Sequence, residues 1–163
     1  MKLRAGAAAV GFAAIGLAVF LALRGAGSSA FPAEQFPDRA SAEQAGAFAA
    51  ASGGWLPSQI PPGATLLRES HNPSTHQTWG WFRLPADARW IPAGSMRTPP
   101  GELMLLGAPA NVDWWPAFLR GRASSAELQR QGFHFFIVEQ GEPSPLVFAV
   151  RGEEVWFWRL ARQ

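Results

Sequence analysis

Three β-prone runs close the chain, Phe133 to Gln140, Leu146 to Arg151 and Val155 to Leu160, and they constrain its fold more than any other feature. The links between them, Gly141-Glu142-Pro143-Ser144-Pro145 and Gly152-Glu153, are too short for a parallel crossover, so the runs form an antiparallel meander. Side chains alternate sides along a strand. That parity groups Phe133, Phe135 and Ile137 with Phe148, Val150, Val155 and Phe157, and sets Phe136, Val138, Val147, Trp156 and Trp158 on the other side. Both sides are apolar. Such a sheet needs cover on each face; the segment carrying Trp114, Trp115, Phe118, Leu119 and Leu128 can supply it on one, and burial of these aromatics as core is the commoner outcome, while an uncovered second face would stand open as a platform.

Two more runs precede the meander. Ala64 to His71 and His76 to Leu84 flank Asn72-Pro73-Ser74-Thr75, a turn signal between β-prone segments, and read as a hairpin. With residues 72–75 as its loop, His71 pairs with His76, Glu69 with Thr78, and Arg68 with Trp79 in a cation–π contact. Asp113 can cap a helix over Trp114 to Leu119, and Ser124 with Glu127 three residues later is a capping-box pattern that runs to Leu128 and stops at Gly132. The fold class that results is α+β: an antiparallel sheet of about five strands with one or two packed helices, over residues 55–163.

All eight Trp fall after residue 54, and the 163-residue chain has no Cys. Disulfides, thiol nucleophiles and Cys-type zinc sites are therefore excluded, and aromatic burial must supply the stability. If one sheet face stayed uncovered, Trp79, Trp81, Trp156 and Trp158 would form an aromatic surface suited to sugar rings or to a partner's side chains.

The address is written at the other end. Ala5 to Leu23 is an uncharged run of nineteen residues behind Lys2 and Arg4, about 28 Å long as a helix and so enough to cross a bilayer core. It reads as a membrane anchor over residues 1–24, its N-terminus held in the cytoplasm by the positive-inside rule and the rest of the chain in the periplasm. The alternative is a signal peptide cleaved before Phe31, after Ser28-Ser29-Ala30. Residues 25–54, rich in Ala, Gly, Ser and Gln, read as a linker in which Asp38 or Ser41 could cap a short helix running to about Ala51. The pI near 10.4 suggests a nucleic-acid binder, but three of the fourteen cations lie in residues 1–24. The remaining eleven Arg face twelve acids, leaving −1 on residues 25–163 and no basic face for phosphates.

Chemistry is sparse. Glu69, His71 and His76 share one face near the hairpin end, and two His with a carboxylate can hold zinc with an open position, which would suit a metal-dependent hydrolase or a metal-binding domain. Solvated or hydrogen-bonded histidines are the commoner outcome of such a pattern. There is no Gly-x-Ser-x-Gly elbow, phosphate-binding loop, dinucleotide fingerprint or calcium loop. His134, between Phe133 and Phe135, reads as a core or rim histidine. No catalytic residue and no cofactor is expected.

The stretch from Trp55 to Leu84 resembles the YbbD head domain family of bacterial envelope proteins. The matching elements are Trp55-Leu56-Pro57, Ile60-Pro61-Pro62-Gly63-Ala64, Glu69-Ser70-His71-Asn72, Thr75 and Trp79-Gly80-Trp81-Phe82. The likeness runs on through Trp115-Pro116, Leu119, Gly132-Phe133 and Val155 to Arg159. It implies a membrane-anchored or exported bacterial protein and carries over no catalytic residue. The family's aspartate before the turn threonine is Ser74 here. The expectation is thus a single-pass inner-membrane protein, non-enzymatic, in contact with the bilayer through residues 5–23 and with an envelope protein or glycan through its periplasmic domain.

Overall fold

The computed structural model describes residues 31–48, 54–98, 112–120, 125–139 and 144–159. Its strands are β1 (Ala33–Asp38), β2 (Thr65–Asn72), β3 (Gln77–Arg83), β4 (Ser95–Arg97), β5 (His134–Val138), β6 (Leu146–Arg151) and β7 (Glu154–Arg159). They form one seven-stranded sheet in the order β1-β2-β3-β7-β6-β5-β4, with every pairing antiparallel.

This corrects the α+β expectation. The sheet has seven strands rather than about five, and among the described residues helix is confined to α1 (Arg39–Gln44), α2 (Ser125–Arg130) and a 3-10 turn at Ala117–Leu119. Trp114 to Leu119 does not form the α-helix expected, since Pro116 stands in extended backbone at the entry to the 3-10 turn. Among the described residues no helix is long and apolar enough to cross a membrane. The anchor expected over residues 5–23 lies outside the described residues.

The stretch expected as a linker contributes to the fold. β1 adds to the free edge of β2, and Asp38 caps α1 by accepting a hydrogen bond from the Ser41 backbone N–H at 2.8 Å. Those bonds to Ser41 hold the Asp38 carboxyl below its ordinary value. α1 then stops at Gln44, and Gly46 follows with φ +76°.

The register settles the two faces. Phe136, Phe148 and Phe157 are successive cross-strand partners, so β5 contributes Phe136 and Val138 to the face of Phe148 and Phe157, and Phe133, Phe135 and Ile137 lie with Val147, Trp156 and Trp158. The sequence parity had placed β5 the other way round. The first face gathers Leu67, Phe82, Phe136, Phe148, Val155 and Phe157 under Ala42 of α1 and under Ala47, Leu56, Ile60, Ala64 and Trp90. The second face gathers Trp79, Phe135, Val147, Trp156 and Trp158 under Val112, Trp115, Leu119 and Leu128.

Gly80 is where the first face comes closest to the backbone. It opposes Phe157 on β7, and a Cβ there would overlap the Phe157 ring. The missing side chain is what lets that ring lie flat on the sheet.

Candidate functional site

The hairpin turns one residue later than its sequence suggests. Asn72 remains in β2 and accepts a bond from the Ser74 backbone N–H at 3.0 Å, leaving residues 73–76 as the turn. His71 therefore pairs with Thr78, Glu69 with Gly80, and Arg68 with Trp81, in place of the pairings expected. The Arg68 guanidinium lies 5.7 Å from the Trp114 ring instead of over Trp79. Glu69 and His71, two residues apart on β2, share one face whatever the register.

That face carries the most distinctive polar group of the protein. Glu69 is only 1 % exposed. His71 Nδ1 donates to its carboxylate, 3.0 Å from one oxygen and 3.2 Å from the other. The Trp55 indole stacks flat on the imidazole, with ring centroids 4.2 Å apart and planes 8° apart, and it also reaches His76 at 6.1 Å. Trp55 is held there by its chain neighbour, since the Leu56 N–H donates to Ala47 O. Burial raises the Glu69 carboxyl above its ordinary value; the His71 bond and charge oppose that, and Glu34, its cross-strand partner on β1, adds to it.

Thr78 stands opposite His71 on β3, and its hydroxyl is buried without a hydrogen-bond partner. A carboxylate–imidazole pair could orient a base for a hydroxyl nucleophile. Thr78 lacks both the bond to His71 and the exposure that a nucleophile needs. The pair instead works as a buried polar clip between β2 and the Trp55 segment.

The metal candidates separate. Glu69 and His71 meet, but no group of three or more His, Asp or Glu able to hold a metal ion occurs among the described residues, so Glu69, His71 and His76 do not form a three-donor set. His134 lies on the rim, exposed, with its Nδ1 2.8 Å from the Arg97 guanidinium.

The aromatic candidates form core, not platform. Trp79, Trp156 and Trp158 are each no more than 6 % exposed, and Trp81 is half-buried beside them. Trp115 meets Trp158 edge-on at 5.9 Å, Phe118 meets Trp156 at 5.6 Å, and Phe31 stacks on Trp79 at 5.6 Å. Two arginines secure that cover. Arg120 donates to the carbonyl oxygens of Val112 and Trp115, closing the 112–120 segment, and the Arg151 guanidinium lies 4.9 Å from the Phe118 and Phe133 rings while pairing with Glu154.

In the sequence Trp55 opens the aromatic-rich part and the Trp55-Leu56-Pro57 element of the resemblance, and neither places it on His71. Its role depends on a fold-back that no local pattern encodes. No family model, curated protein or solved structure matches the chain.

Proposed function

We propose that this chain is an exported binding domain of the bacterial envelope, acting by contact with an envelope protein rather than by catalysis. Residues 5–23 hold it at the inner membrane with the N-terminus in the cytoplasm, or are removed by cleavage before Phe31; in either case the folded part works in the periplasm. The uncharged run behind Lys2 and Arg4 supports the placement, and the likeness of residues 55–84 to YbbD head domains agrees with it.

The observation that carries the non-catalytic reading is the packing of His71. Its Nδ1 is held by Glu69, its ring is roofed by Trp55, and the neighbouring Thr78 hydroxyl is bonded to nothing. A glycan platform is not retained, because the Trp residues it needs are covered.

Cross-linking of the full-length protein in intact envelopes tests this. The expected result is a discrete adduct with one envelope protein that persists when His71→Gln removes any imidazole base. Loss of biological activity in His71→Gln with the fold and the adduct intact would instead point to catalysis. A reporter fused after Gln163 tests the placement, and activity confined to the cytoplasm would overturn it.

A further inference from the structure

β1 enters the sheet at one particular end. Ala33 pairs with Ser70, so the chain joins the fold beside the end of β2, and Phe31 packs on Trp79 at the start of β3. The β2–β3 turn, the Trp55–His71–His76 stack and the end of β7 at Arg159 all lie at this same end. At the other end lie Asp38, Thr65, the exposed Leu66, Arg83 and the turn carrying Glu153 and Glu154.

Only seven residue steps separate Arg24, which closes the apolar run, from Phe31. A fully extended chain covers at most about 25 Å in seven steps. The eight-residue strand β2 is itself about 26 Å long. A tether this short leaves little freedom to turn the domain over.

We infer that, in the membrane-held form, the domain stands with its β2–β3 hairpin end against the lipid headgroups and its Leu66 end directed away from the bilayer. This rests on the proposed placement of residues 5–23. The chemistry of the hairpin end agrees with it. Asn72-Pro73-Ser74-Thr75-His76-Gln77 contains no carboxylate and one histidine, and Trp55 lies beside it, half-buried, as an amphipathic ring suited to the headgroup region. Among the described residues the acids toward this end are Glu69, buried and bonded to His71, Glu34 on β1 and Glu139 after β5. The far end carries Asp38, Asp87, Glu153 and Glu154 beside Arg39, Arg83, Arg89 and Arg151, the last paired with Glu154, so its charges offset one another. Leu66, 48 % exposed and held at φ +55° in the β2 bulge, is displayed there for a partner.

Because the chain has no cysteine, single labels can be placed cleanly. Ser74→Cys and Glu153→Cys variants of the full-length protein, each labelled with a fluorophore, are reconstituted into vesicles containing anionic lipid and a headgroup-attached quencher, and flotation is checked in parallel. The expected result is flotation of both, several-fold stronger quenching at position 74 than at 153, and loss of that contrast when twenty flexible residues are inserted after Gly27. Equal or reversed quenching in protein that floats overturns the orientation alone. Failure to float overturns the membrane placement, and the orientation with it.

Discussion

The two faces of the sheet are closed by different means. On the first, the cover is tied together through backbone bonds, with the Arg39 N–H donating to Ala64 O and the Leu56 N–H to Ala47 O, and Leu67, Phe82, Leu146, Phe148 and Phe157 are fully buried beneath it. On the second, the cover is a short segment with one 3-10 turn, held by ring contacts and by Arg120 and Arg151. The first face also contains the one buried carboxylate among the described residues, Glu69, whereas the second leaves the indole N–H groups of Trp114 and Trp115 without partners. The first face thus combines a backbone-bonded cover with a buried polar pair. The second depends on aromatic area and on two arginines.

Substitutions can break or sharpen this contrast. The largest effect is expected from Phe157→Ala, which empties the space over Gly80 and should cost about 3–5 kcal/mol in denaturant unfolding. Arg120→Met strips two carbonyl oxygens of their charged donor and should cost about 1.5–3 kcal/mol, with the loss concentrated in hydrogen-exchange protection of the second face. If protection fell equally on both faces, their independence would be lost.

Arg151→Met removes a guanidinium that packs on the Phe118 and Phe133 rings, and should cost about 1 kcal/mol.

Glu69→Gln tests the clip through pH. The folded carboxyl is raised above its ordinary 4.5 mainly by burial, so the folded state holds this proton more tightly than the unfolded chain. Its contribution is fully present below 4.5 and is lost as pH rises through the folded value. The wild type should therefore lose stability relative to Glu69→Gln as pH is raised from about 4 toward neutrality. An unchanging difference in unfolding midpoint between the two proteins would show that Glu69 is not buried.

The strands that sequence reading located were those made of continuous β-prone runs bounded by turn signals: β2, β3, β5, β6 and β7 all occur where such runs stand. β1 escaped notice because Ala-Glu-Gln-Phe-Pro-Asp contains one large apolar residue and a proline that an edge strand tolerates. β4, at three residues, is too short to show a period. The side assignment of β5 failed because it depends on how many residues the 139–145 connection takes up, which alternation within a strand does not reveal.

The site was legible in part for the same reason. Glu69 and His71 lie two apart on one strand, so they share a face whatever the register. His76 was joined to them by a turn placed one residue early, and Trp55 arrives from a segment with no periodicity. That Trp114, Trp115, Phe118, Leu119 and Leu128 can cover one face is legible from their apolar character; that the face they cover is the one bearing Trp79, Trp156 and Trp158 depends on tertiary placement.

Tryptophan emission tests that covering most directly. The account predicts a strongly blue-shifted spectrum in the folded protein, with only a minor fraction of the intensity open to iodide or acrylamide. A spectrum close to that of the unfolded chain, quenched throughout under conditions where the sheet is intact by circular dichroism, would contradict it.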